Sequence, residues 1–296
     1  MNLQPAPPRP VEIAQITDPH IGTSSHSQRN ADRLRAVIAA IVEQAPNLTL
    51  VTGDLTEDGA MEDYRHLREL LAPLGPNVAL TFGNHDDRTA FFAAFPEAPR
   101  WVEDGVEHGC HATQAGDLRI VLLDTLEPGR HSSGLDARRL AWLDAMLAEA
   151  PERPTLIALH HPPVRTGVPW IDSNAEGPWS RELRRVVERH AQVVGFVAGH
   201  VHQPIATSFA GRPLIIAGPS AMPIARDTRP IEASKPDGRR LILNQAPAYA
   251  MHRWDGARLV SWFGVADDAM TLARYDASTA QMIAGLAKEE GLPPPV

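Results

Sequence analysis

The chain has 296 residues, 43% hydrophobic and 22% charged, with 21 Gly, 27 Pro and one Cys; this ordinary globular composition excludes a disordered, collagen-like or coiled-coil chain. Its net charge is -8, and Lys occurs only at Lys235 and Lys288, so the basic face of a nucleic-acid binder is missing. The single Cys110 excludes an intrachain disulfide framework and a cysteine-built zinc site.

The first ten residues, MNLQPAPPRP, lack the basic and apolar regions of a secretory signal. No apolar run approaches the roughly 18 residues of a membrane helix, so a cytoplasmic protein with no membrane partner is expected. Val11–Ile16 reads as a strand. Asp32–Gln44 has helical spacing, with Leu34, Val37, Ile38 and Ile41 on one face. Leu48–Thr52 is the next strand, Met61–Leu71 a helix stopped near Pro73, and Val78–Phe82 a strand. Leu118–Asp124 is a very apolar strand, Leu135–Ala148 a helix, and Thr155–Leu159 and Val193–Ala198 strands around a helix at Arg181–His190. This alternation predicts helices covering a largely parallel sheet. From Ile205 the pattern changes. Ile205–Phe209 and Pro213–Ala217 flank Gly211, and Ala248–Trp254 and Arg258–Phe263 flank Asp255-Gly256; both read as antiparallel hairpins. Two facing sheets with helices outside would absorb both kinds of strand. Residues 1–265 are expected as one domain, with an excursion at 221–247 as a cap or dimerisation arm. Its polar part is Arg226–Arg240. Residues 266–296 form a tail with one weak helix.

Five strands end in residues that carry chemistry. Asp18-Pro19-His20 follows the first, Gly53-Asp54 the second and Gly83-Asn84-His85-Asp86 the third. His160-His161-Pro162 and Gly199-His200-Val201-His202 follow two later ones. Open α/β sheets bind ligands at the carboxyl ends of their strands, so these ends should meet in one crevice. Asp, Asn and His without thiolate suit Mn, Fe, Co, Ni or Zn. Asp18, His20, Asp54, Asn84, His160, His200 and His202 are too many donors for one tetrahedral ion and enough for two. Asp-x-His and His-x-His would place two donors on one side of an extended segment. Asp54 is the residue expected to bridge the ions. Two divalent ions would also reverse the local sign of an acidic protein toward an anionic substrate.

These blocks resemble the calcineurin-like metallophosphoesterases, and within them the bacterial class III cyclic-nucleotide phosphodiesterases and related glycerophosphodiesterases. The match runs from residue 18 to 202. The resemblance implies an α/β fold, a four-layer αββα sandwich with two mixed sheets flanked by helices. It implies that Asp18, His20, Asp54 and His202 hold one metal, and Asp54, Asn84, His160 and His200 the other. It further implies a bridging hydroxide as nucleophile, with His85 as the acid near the leaving group. Asp54 and His85 are therefore the catalytic candidates, and Asn84, His85 and His161 the substrate-binding ones; His161 also reads as the start of the Pro162-Pro163 turn. A phosphoprotein phosphatase would carry Arg in Gly-Asp-x-x-Asp-Arg-Gly and Glu after Gly-Asn-His. Here the segments are Gly53-Asp54-Leu55-Thr56-Glu57-Asp58-Gly59 and Gly83-Asn84-His85-Asp86, which disfavours that branch.

The expected activity is hydrolysis of small phosphodiesters, foremost 3',5'-cyclic nucleotides, with two divalent or trivalent ions per chain (Fe, Mn, Zn or Co). The alternatives are glycerophosphodiester, phosphonate-ester or phosphomonoester hydrolysis at the same site, and a non-catalytic scaffold. A homodimer or higher homo-oligomer is expected. Asp124 is read as orienting a ligand His or capping Leu126–Pro128, and Cys110 as lying in a surface loop. Trp170, Asn174 and Trp179 lie in a loop bordering the site or packing beneath it.

Overall fold

The computed structural model describes residues 10–23, 25–172, 174–232, 234–267 and 272–289. One compact unit ends at Ala266 and a second begins at Asp267. The first opens with β1 (Val11–Ile16), α1 (Ser25–Gln44), β2 (Leu48–Thr52), α2 (Met61–Leu71), β3 (Val78–Thr81) and α3 (Arg88–Ala94). It continues with β4 (Trp101–Glu103), β5 (Val106–His108), β6 (His111–Ala115), β7 (Leu118–Leu123), α4 (Ala137–Ala148), β8 (Thr155–Leu159) and α5 (Pro178–Glu188). It closes with β9 (Val193–Ala198), β10 (Ile205–Phe209), β11 (Arg212–Ile216), β12 (Ala248–Trp254) and β13 (Leu259–Val265). The second unit holds α6 (Ala277–Glu289). Among the described residues no helix is long and apolar enough to cross a membrane.

The strands form a five-stranded sheet ordered β13-β12-β1-β2-β3 and a six-stranded sheet ordered β10-β11-β9-β8-β7-β6; β4 and β5 pair separately. Both large sheets are mixed. β1, β2 and β3 run parallel, with β12 antiparallel to β1. β7, β8, β9 and β11 run parallel, with β6 and β10 antiparallel at the two edges.

Period-two alternation builds three apolar layers. Ala14 and Ile16 on β1 and Val51 on β2 face a cluster holding Leu34, Val37, Ile38 and Ile41 of α1. Ile13, Leu50, Ile120, Leu122, Leu156 and Val197 belong to a second cluster shared by both sheets. Val121, Leu123, Ile157, Leu159 and Phe196 face α4 and α5. Helix, sheet, sheet and helix are the four layers. Strands covered on both faces read as continuous apolar runs, which is why β2, β7 and β8 stand out in the sequence.

Several boundaries depart from the sequence reading. α1 begins at Ser25, two and a half turns before the first strongly apolar position, Leu34. α5 begins at Pro178, where a missing N–H costs nothing at a helix start. β11 joins β9 in parallel besides pairing with β10, so the hairpin is part of the second sheet. Cys110 is no surface residue: it is 1% exposed within the α4–α5 core, and burial pushes its thiol up.

Candidate metal centre

The carboxyl ends of β1, β2, β3, β8 and β9 carry Asp18 and His20, Asp54, Asn84 and His85, His160, and His200 and His202, respectively. Tight backbone turns let these ends approach. Asp18, His20, Asp54, His200 and His202 all have φ between 45° and 70°, the left-handed region. The expectation of extended Asp-x-His and His-x-His segments is therefore corrected: neither segment is a continued strand. Glycines make room beside them. A Cβ on Gly83 would lie 2.1 Å from Asp54 Oδ1, and one on Gly53, itself at φ +86°, 2.5 Å from His160 Nδ1.

Asp18, His20, Asp54 and His202 each bring one donor atom within 4.8 Å of the others. His160, His161 and His200 do the same. His160 Nε2 lies 3.3 Å from Asp54 Oδ2 and 3.9 Å from Asp18 Oδ1, which joins the two groups. His20 Nε2 is 3.5 Å from Asp54 Oδ2, and His202 Nε2 is 3.4 Å from Asp18 Oδ1. Carbonyls fix the tautomers. His160 Nδ1–H donates to Thr52 O and His202 Nδ1–H to Met222 O, each at 2.8 Å. A carbonyl only accepts, so the Nε2 lone pairs are left for the cluster.

Electrostatics favour positive charge here. Burial opposes ionisation of Asp18 and Asp54, but His202 beside the first and His160 beside the second outweigh it and hold both carboxyls below their usual range. Burial lowers the His160 imidazole, yet Asp54 and Asp18 raise it further, to about 9, so a bound cation would displace the Nε2 proton to use that nitrogen. Among the buried atoms that have no hydrogen-bond partner are His160 Nε2, His161 Nε2 and Asn84 Oδ1. Buried polar atoms are rarely left so without a reason. Imidazole and hard oxygen donors with unfilled positions fit divalent metal ions.

A calcineurin-like phosphoesterase family model matches residues 11–204, from β1 through the His200–His202 turn. The chain belongs to the calcineurin-like phosphoesterase family. It is 35% identical over 201 residues to a 3',5'-cyclic-nucleotide phosphodiesterase of Nostoc sp., covering 66% of this chain and 72% of that one. It is 32% identical over 211 residues to the 3',5'-cyclic adenosine monophosphate phosphodiesterase of Escherichia coli K12, covering 69% and 74%. A dimetal phosphatase from Danio rerio shares the fold with a TM-score of 0.64 at 16% identity, over 89% of this chain and 98% of that one. As a member of this phosphoesterase family the chain is a hydrolase of phosphodiester type.

Around the phosphoesterase cluster lie residues that the sequence reading passed over. Glu57 Oε2 is 3.1 Å from His20 Nδ1, and the Glu57 carbonyl accepts from His85 Nδ1–H at 2.7 Å. Asn84 Nδ2 donates to His131 Nδ1 at 3.3 Å, which leaves Oδ1 for the cluster. Asp86 accepts from the backbone of Leu55 and Gly83 and from the Tyr64 hydroxyl, pinning the β2 and β3 ends together. A carboxylate four residues past a Gly-Asp and a histidine in a loop leave no periodic signal. Asp124 orients no ligand histidine. It takes two bonds from Arg88, at 2.7 and 2.8 Å, and caps the turn through Leu126 N–H. His161 is 2% exposed, with Nδ1 2.8 Å from Thr125 Oγ1. Trp179 packs in the core and donates to Asn174 O at 2.8 Å.

The cluster forms the polar floor of a cavity of about 650 Å³. His20, Asp54, Asn84, His85, His200 and His202 all line it, and Trp170, Ile171, Met222, Ile224 and Ile242 supply apolar lining. Among the described residues no Lys or Arg lines it.

Proposed function

We propose that this phosphoesterase hydrolyses 3',5'-cyclic nucleotides at a pair of metal ions. The observation that carries the reading is the convergence of donor residues from five strand ends: His20, Asp54, Asn84, His200 and His202 line one cavity, Asp18 and His160 are fully buried against them, and His160 and Asn84 each carry a buried atom lacking a hydrogen-bond partner. The names of the Nostoc and E. coli relatives support the substrate class.

Asp18, His20, Asp54 and His202 would hold one ion, and Asp54, Asn84, His160 and His200 the other, with Asp54 between them. Fe, Mn, Zn and Co all accept this ligand set. When bound, such a pair neutralises charge on phosphorus and acidifies water. Four positive charges against the carboxylates of Asp18, Asp54 and Glu57 leave about one, which matches a diester better than a monoester dianion. Asn84 and His85 border the phosphoryl position. With Nδ1 committed to the Glu57 carbonyl, His85 offers Nε2 for proton transfer to the departing oxygen. His161, buried against His160 and His200 at ring distances of 4.7 and 4.6 Å, supports these two rings rather than the ester. The outer strand β13, with no charged residue, supports a homodimer or larger homo-oligomer.

The test is turnover by the Mn-reconstituted protein. Cyclic AMP and bis(p-nitrophenyl) phosphate should be hydrolysed at least about tenfold faster than p-nitrophenyl phosphate. A monoester preference of that size would contradict the reading.

A further inference from the structure

We propose that Trp170 is a stacking platform for the planar organic group of the substrate, and that the cavity selects an uncharged aromatic ester group over a polyhydroxylic or doubly anionic one. Two segments far apart in sequence build this wall. Trp170 and Ile171 come from the loop after β8, and Met222, Ile224 and Ile242 from the excursion after β11. Trp170, Ile171 and Ile224 all pack on the α4–α5 core, so they form one continuous apolar surface.

Both segments are held in place. The Asp172 carboxylate accepts from Thr166 N–H, Thr166 Oγ1–H and Gly167 N–H at 2.7–2.8 Å, which fixes the loop before Trp170. Across the excursion, Ala225 N–H donates to Leu241 O at 2.7 Å and Leu243 N–H to Pro223 O at 2.8 Å, so Ile224 and Ile242 are paired. The Met222 carbonyl that orients His202 belongs to this excursion, so the wall is tied directly to the metal floor.

The chemistry of the wall sets the preference. Asn30, Glu57 and His131 also line the cavity, but the aliphatic side chains of this wall offer no hydrogen bonds, so a glycerol group placed against them would lose its water without replacement. A nucleobase presents a π-face that loses little. With no Lys or Arg among the described lining residues, the floor that would hold the metal ions is the place for a single anionic centre, and a second phosphate has no cationic side chain to pair with there. The volume, about 650 Å³, lies within the roughly 300–1,000 Å³ of sites that enclose a ligand of nucleotide size.

The position of phosphorus on the floor rests on the phosphodiesterase reading, whereas the wall can be tested by binding alone. Adenosine 5'-monophosphate and ribose 5-phosphate differ only in the base. Titration calorimetry on the metal-loaded protein should show the nucleotide binding about tenfold or more tightly, the range of base–aromatic stacking. Trp170→Ala should bring the two within about twofold while leaving ribose 5-phosphate affinity unchanged, and Trp170→Phe should restore most of the difference. Ile242, 62% exposed, can be changed without disturbing the core, and Ile242→Ser should cost about threefold for the nucleotide alone. Equal affinities in the unmutated protein, or a base preference that survives Trp170→Ala, would overturn the proposal. If no diester is hydrolysed yet the base preference depends on Trp170, the wall stands and the diesterase reading fails.

Discussion

Among the described residues, five of the nine non-glycine residues with positive φ, Asp18, His20, Asp54, His200 and His202, belong to the candidate metal cluster. Each such residue costs of order 1–3 kcal/mol and persists only where its surroundings hold it. Here the holders are visible: Asp18 accepts from His200 N–H at 3.0 Å, and Asp54 from His85 N–H at 2.9 Å. Glu57 holds His20 from behind. Glu57→Ala should therefore weaken metal binding about 10–100-fold by calorimetric titration, with Glu57→Gln, which keeps an acceptor, recovering most of it. His85→Ala should retain its metal by elemental analysis and lose about 10²–10⁴ in rate. The candidate donors stood out in the sequence because each sits shortly after an apolar strand. Glu57 and His131 were not, since their roles depend on loop conformation that no local pattern encodes.

Between the sheets runs a polar chain that no periodicity announces. Gln15 Nε2–H donates to Thr52 Oγ1 at 2.8 Å and to Ala198 O at 2.9 Å, joining β1 to β2 and to β9 of the other sheet. Gln15 Oε1 lies 3.0 Å from His252 Nε2 on β12, and His252 Nδ1 lies 2.8 Å from Ser261 Oγ on β13. Burial lowers the His252 imidazole to about 4. The unfolded chain takes up this proton first, near the ordinary imidazole value of 6.5, so stability is full above that pH and falls as pH drops from 6.5 toward 4. The loss attributable to this group is about 3 kcal/mol. Urea denaturation at pH 7.5 and 4.5 should show a smaller difference for His252→Gln than for the unmutated protein. The elements missed in the sequence are those with weak patterns. β4 and β5 are three residues each, β6 alternates partly exposed and exposed positions before Ala115, and α3 is seven residues long. Asp87 caps α3 by accepting from Ala90 N–H at 2.8 Å, a signal the sequence does carry.

In the first unit, two mixed sheets sandwiched between helices bring strand ends from residue 16 to residue 198 to one cavity. The layering was legible because the central strands are buried on both faces. The joining of β10–β11 to one sheet and β12–β13 to the other was not, since a hairpin's sequence does not name the strand it pairs with. Cations bound among these clustered carboxylates and imidazoles would stabilise the folded unit, so chelation should lower its melting temperature and added Mn should restore it. The most direct test is a crystal of the Mn-loaded protein measured for anomalous scattering. Two peaks roughly 3.5–4 Å apart, with Asp54 between them, are expected. One peak, none, or peaks away from Asp18, His160 and His202 would contradict the account.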